Sequence, residues 1–256
     1  MRVERISRFP VKGLAAELMD EVTLTEGEGL PHDRRFALAQ GDSPFDPAAP
    51  TWLQKRHFAC LMANASVAAI RSAYDPVTGM ILLHAPGLPP AGFDLATSAG
   101  RDGLAAWMTR FLGPEARGAM RFAEAPGHAF TDIAAKAVSI IGLNSVAALA
   151  EKAGMALDPL RFRANIHVSG AAPFAEFGWV GREILMGGAR LRVFKRIQRC
   201  AATEVNPETA ERDARPQQWL RDHYGHADMG VYAAVIEGGR VALGDALEPV
   251  QADLLG

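Results

Sequence analysis

Residues 183–209 read EILMGGARLRVFKRIQRCAATEVNPET, and this stretch decides between the fold classes open to the chain. Residues 183–186 form a short β-like run, and residues 190–197, in which apolar and charged side chains are interleaved, form a second. The second run delivers Arg199 and Cys200 to a polar turn around Asn206 and Pro207, residue types that end strand pairing. Working outward, further β-like segments lie at residues 2–9, 17–25, 34–39, 80–84, 162–168, 229–237 and 240–243. Loops rich in Gly, Pro and Asp separate them, as at 27–31 and 41–50, and Gly238-Gly239 suits a two-residue hairpin turn. Helical spacing is confined to residues 98–112, 139–153 and 216–223. No regular strand–helix–strand alternation appears, which argues against a doubly wound nucleotide-binding fold. The expected architecture is mainly β (α+β), with two β-barrel-like domains and a few covering helices. The Gly- and Pro-containing segment 112–121 places the boundary so that the domains span residues 1–115 and 116–256.

Composition narrows the function classes. Of 256 residues, 49% are hydrophobic and 22% charged, enough to fill a core and too balanced for a disordered chain. The net charge of −2 comes from dispersed charges, so neither a nucleic acid nor a membrane surface is an expected partner. Two cysteines, Cys60 and Cys200, supply neither a disulfide framework nor four thiolates for an iron–sulfur cluster, and they fit a reducing cytoplasm. Arg2, Glu4 and Arg5 interrupt what would be the apolar core of a signal peptide. No apolar run approaches the length of a membrane-spanning helix.

The chain has no Gly-rich loop ending in Lys-Ser/Thr, no Gly-x-Ser-x-Gly turn and no His-Glu-x-x-His helix. His223 and His226 make only an isolated pair. Three basic clusters stand beside turn residues: Phe9-Pro10-Val11-Lys12-Gly13, His32-Asp33-Arg34-Arg35-Phe36 and Arg161-Phe162-Arg163-Ala164-Asn165. Each is a solvated strand end when taken alone. If the strand ends share one barrel rim, their cations form a site for a phosphate-bearing ligand without altering net charge. Cys200, following Arg199 at the end of an apolar strand, is a ligand or nucleophile candidate or else a buried structural thiol.

Residues 161–209, together with Gly230-Val231-Tyr232-Ala233 and Val241-Ala242-Leu243-Gly244-Asp245, resemble the core of MOSC proteins, named for the C-terminal domain of molybdenum cofactor sulfurase. The resemblance is strongest to the mitochondrial amidoxime-reducing components and their bacterial relatives. FPVKG, GLPHDRRFAL and the helix expected after Asp132 resemble the N-terminal β-barrel domain that accompanies it, so nearly the whole chain is covered. The resemblance implies a molybdenum cofactor (Mo-molybdopterin) bound through Cys200. Lys12, Gly13, Arg34, Arg163 and Arg199 would surround its anionic and polar groups, with Ser139 and Asn165 as hydrogen-bond partners. It further implies reduction of N-hydroxylated or other N- or S-oxygenated small molecules. Longer relatives carry a plant-type ferredoxin domain that this chain lacks, so electrons are expected from a separate ferredoxin- or cytochrome-type donor with its reductase. A family-level association with pyridoxal phosphate attaches to no residue here. The family's threonine pair and Asp-Pro-Asp-Thr-Gly turn are replaced by Thr203-Glu204 and Asn206-Pro207-Glu208-Thr209-Ala210, which leaves the pocket shape and substrate open. Glu204, Asp245 or water are all candidates for proton delivery. The alternative to a reductase is a non-catalytic carrier of the cofactor, or of sulfur on Cys200.

Overall fold

In the computed structural model, which describes residues 1–125 and 127–250, the chain is dominated by strands. It runs β1 (Arg2–Arg8), β2 (Glu17–Met19), β3 (Glu21–Leu24), β4 (Phe36–Ala39), β5 (Arg71–Tyr74), β6 (Met80–His84), β7 (Ala91–Asp94) and α1 (Ser98–Leu112). There follow β8 (Arg121–Glu124), β9 (Val138–Gly142), α2 (Leu143–Ala153), β10 (Ile166–Ser169), β11 (Glu183–Met186), β12 (Ala189–Gln198), α3 (Pro216–Tyr224), β13 (Asp228–Glu237), β14 (Gly239–Ala242) and β15 (Leu247–Pro249). Short 3-10 turns join several of them. No helix among the described residues is long and apolar enough to cross a membrane.

One eight-stranded sheet, in the order β15-β11-β12-β13-β9-β10-β1-β2, organises the molecule. Its neighbours are antiparallel except β9 and β10, which run parallel and are connected through α2. Val3, Ile6, Ile140, Ile166, Leu191, Val193, Val231 and Val235 converge on one apolar core against it. The first strand of the chain therefore lies inside the sheet built by the second half. β2 adds to the edge of that sheet, β3 pairs with β14, and the other strands of the first half form two smaller sheets, β4-β8 and β5-β6-β7, with α1 packed on a second core containing Leu38, Ile70, Ile81, Leu104 and Met108. Thr97 caps α1 by accepting from Gly100 N at 3.1 Å.

Four sequence expectations are corrected. Residues 139–153 are not one helix: β9 occupies 138–142 and α2 begins at Leu143. All five residues of β9 are buried between β13 and β10, and a wholly apolar strand is indistinguishable from a buried helix by periodicity. Residues 17–25 are two strands, β2 at the edge of the large sheet and β3 paired elsewhere. In segment 162–168 the strand starts only at Ile166, after a 3-10 turn over Pro159–Phe162 and a left-handed Arg163. Gly238-Gly239 does not turn a hairpin, because β14 leaves β13 and pairs with β3, Gly239 opposite Leu24. A Cβ on Gly239 would stand 2.0 Å from the Gly188 carbonyl oxygen, so glycine is required here for backbone approach.

α2 has no capping side chain at Gly142. Glu176, fully buried, substitutes from a distant turn, accepting from Ser145 Oγ at 2.9 Å and Gly142 N at 3.4 Å. The carboxylate thereby meets the positive end of the helix.

His167 lies in the middle of the sheet, on β10 between Arg5 and Ile141, with 0% of its surface exposed. Burial, then the nearby Arg5, pushes its imidazole from 6.5 down to about 4. The folded protein keeps this ring neutral where the unfolded chain protonates it. Stability from His167 is thus complete above pH 6.5 and declines as pH falls toward 4, by about 3 kcal/mol. Urea denaturation between pH 7 and 4.5 is expected to show a shallower loss for His167→Gln than for the parent protein.

Candidate functional site

A cleft of about 310 Å³ is lined by residues of both halves, among them Lys12, Gly13, Arg34, Ser139, Arg163, Asn165, Arg199 and Cys200. All eight sequence-predicted site residues meet there, although they span positions 12 to 200. Their contacts divide them into groups that frame the cleft and groups that present free donors.

Lys12 follows β1 in the turn begun by Pro10, and its backbone N donates to Phe36 O at 2.8 Å. Gly13 has a φ of 92°, and a Cβ there would lie 3.2 Å from Ala59 O, so the turn needs glycine on both counts. Lys12 Nζ donates to Phe130 O at 2.8 Å and to Asp132 Oδ1 at 2.9 Å. Arg34 and Arg163 are both left-handed, with φ of 46° and 51°, and both guanidinium groups lie over the Phe9 ring, 4.3 and 4.1 Å from its centroid. Arg34 pairs with Asp33 and donates to Arg163 O at 2.7 Å. Arg163 Nη1 donates to Leu14 O at 2.8 Å. Its Nη2 is buried and has no partner among the described residues. Burial, then the charge of Arg34, pushes Arg163 down to about 9.

Ser139, Asn165 and Arg199 are engaged with the scaffold. Ser139 N and Oγ donate to Asn165 Oδ1 at 3.1 and 2.7 Å, and Asn165 Nδ2 donates to Ser7 O at 3.2 Å, which ties β9 to the start of β10 and on to β1. Arg199 Nε donates to Met229 O at 2.8 Å and Nη1 to Phe162 O at 2.7 Å. Burial pushes its guanidinium down to about 10.

Cys200 lies two residues past β12 and precedes a 3-10 turn over Ala201–Glu204, leaving its thiol partly exposed. Its Sγ accepts from Lys55 Nζ at 3.1 Å, and Lys55 also reaches Asp132 Oδ2 at 3.2 Å. Burial works to lower the Lys55 ammonium, but the charges of Asp132 and Cys200 outweigh it and hold the group above its ordinary value. Burial likewise works to raise Asp132, and Lys12 and Lys55 together hold it well below the usual carboxylate range. Tyr232, opposite Lys195 across β12 and β13, lines the same cleft. Neither Glu204 nor Asp245 lines it. Glu204 faces Arg212 at 3.4 Å, and Asp245 accepts from Ala242 N at 2.7 Å near β14.

Sequence reasoning missed Lys55, Asp132, Tyr232 and Lys195. Lys55 sits in a Lys-Arg-His run that reads as a solvated turn, and no local pattern marks its approach to a residue 145 positions away.

Comparison with family models matches residues 1–122 to the MOSC N-terminal beta barrel domain and residues 117–248 to the MOSC domain. The chain belongs to the MOSC family. Its folds are thus the MOSC N-terminal β-barrel domain followed by the MOSC domain, a family associated with molybdenum cofactor binding. A search of curated proteins finds no match. Among solved structures, the YuaD protein from Bacillus subtilis is 16% identical, with a TM-score of 0.45 over 97% of this chain and 94% of that one. YiiM from Geobacillus stearothermophilus is 18% identical, with a TM-score of 0.36 over 46% of this chain and 56% of that one. A third structure, titled a hypothetical protein, is 16% identical, with a TM-score of 0.42 over 98% of this chain and 69% of that one.

The residues fit a phosphate-bearing metal cofactor. Arg163 Nη2 is a buried donor lacking an acceptor, which a phosphate oxygen would supply, and Cys200 offers a soft sulfur ligand in the same cleft. Cys60 also touches the cleft wall but is 5% exposed. In cofactor-free protein a thiol reagent is expected to modify Cys200 before Cys60, checked by peptide mass after brief exposure. Equal or reversed rates would remove Cys200 as the accessible sulfur.

Proposed function

We propose that this MOSC protein is a molybdenum-dependent reductase of N-hydroxylated or other N- or S-oxygenated small molecules, supplied with electrons by a separate ferredoxin- or cytochrome-type donor. The observation that carries the reading is the single cleft in which a partly exposed Cys200 thiol shares its walls with the unpartnered Nη2 of Arg163. Cys200 would hold the metal. Lys12, Arg34 and Arg163 would hold the phosphate, Arg in the forked geometry that suits it and Lys as a point charge.

Bound there, the cofactor supplies two-electron chemistry, by which an N–O or S–O bond is broken and its oxygen leaves as water after uptake of two electrons and two protons. The protein's part is positioning and electrostatics. Lys55 Nζ keeps a proton beside Sγ, and the ion pairs with Asp132 restrict its motion. The Ser139–Asn165 pair and Arg199 fix the strand ends from which the ligands project. With two cysteines and no dinucleotide fingerprint, the chain has no cluster or nicotinamide site of its own to deliver electrons.

Protein made in a host that synthesises the cofactor is expected to purify with molybdenum and pterin in near-equal amounts. It should reduce an amidoxime with a reduced viologen dye but not with a nicotinamide alone. Cys200→Ser should lower that activity by at least about 100-fold while circular dichroism stays unchanged, since even outer partners of metal ligands account for 10- to 100-fold effects. Stoichiometric cofactor with no turnover on any N- or S-oxygenated compound would favour a carrier role instead.

A further inference from the structure

We infer that the substrate of this cleft carries a negative charge of its own, a carboxylate or oxyanion close to the bond that is reduced, and that Lys55 selects it. The inference rests on the reductase reading and names its substrate class. Eight lysines and arginines line the cleft against one carboxylate, Asp132, among the described residues. Asp132 is already committed, one oxygen to Lys12 at 2.9 Å and the other to Lys55 at 3.2 Å. The two acids nearest in sequence to a role, Glu204 and Asp245, are turned onto Arg212 and the Ala242 backbone. A protonated base entering the cleft therefore meets no free carboxylate.

The cations fall into two sets. Lys12, Arg34 and Arg163 gather around Asp132 and the Phe9 ring, the end suited to a phosphate. Lys55 links that group to the reacting end, holding the other Asp132 oxygen at 3.2 Å while standing 3.1 Å from the sulfur that would hold the metal, so whatever reacts there lies beside its ammonium. An ammonium has three donors, and Cys200 and Asp132 occupy two. The third remains for a substrate oxygen. Lys195, an exposed residue paired with Tyr232 across β12 and β13, adds a second positive charge to the lining of the cleft. A neutral or cationic substrate offers the third donor of Lys55 no charged acceptor, whereas an anionic one gains a charge-assisted hydrogen bond there.

The test uses cofactor-loaded, oxidised protein without reductant, so that binding is read apart from turnover. Three probes of similar shape are titrated calorimetrically: benzamidoxime, its 4-carboxy derivative and its 4-aminomethyl derivative. The parent protein is expected to bind the carboxylate about tenfold more tightly than the neutral probe and the cation least, with the preference shrinking as salt is raised. Lys55→Met should bring the neutral and anionic probes within about twofold at unchanged molybdenum content, and Lys55→Arg should restore the preference. Equal binding by the parent, a preference that survives in Lys55→Met, or loss of molybdenum in that variant with selectivity intact at the loaded sites would each overturn the inference. Addition of a reduced viologen dye then separates the two readings. If the binding order holds but none of the three probes is reduced, the reductase reading fails and charge selection stands.

Discussion

The Asp132 carboxylate, gripped by Lys12 and Lys55 from positions 120 and 77 residues away in the chain, is the interaction on which the cleft depends. Two ammonium groups facing a common space repel one another. Asp132 converts that repulsion into two ion pairs and thereby fixes the separation of the cations. Half of its side chain surface remains open, so the pairs act by orienting the lysines rather than by adding much stability. Lys55 in turn points at Cys200, and in this way the first half of the chain reaches the sulfur carried by the second.

Part of this was legible from the sequence. Lys12, Arg34, Arg163 and Arg199 each stand next to a turn residue or a strand end, and strand ends gather at a rim. What the sequence did not disclose is how they are held. Arg34 and Arg163 take left-handed backbone conformations uncommon for arginine, stabilised by stacking on Phe9 and by contacts to distant carbonyls. Lys55 and Asp132 stayed invisible because their partners are remote in sequence. Strand β9 was misread as helix for a different reason: full burial on both sides erases the alternation that betrays a half-exposed strand. The Gly238-Gly239 pair looked like a turn, whereas it serves a crossing of backbones.

The site residues also separate by the fate of their hydrogen bonds. Ser139, Asn165 and Arg199 are buried polar groups that answer one another or backbone carbonyls, which is how a protein keeps such groups in its interior at low cost. Arg163 departs from that economy by leaving one donor unanswered. Arg161 Nε, which belongs to the same cleft, is likewise buried without a partner among the described residues, so the cleft keeps donors for something the molecule does not itself contain.

The placement of β1 has a consequence for biosynthesis. Residues 2–8 pair with β10, a strand completed only at residue 169, so the amino terminus leaves the ribosome long before its partner exists. The matched N-terminal barrel domain cannot close its account of backbone hydrogen bonds on its own, and vectorial folding, one domain after another, is barred at the first strand. Nascent chains must hold an apolar segment containing Val3 and Ile6 in waiting while more than half the protein is translated. High contact order of this kind slows folding and lengthens the exposure of unpaired strand edges.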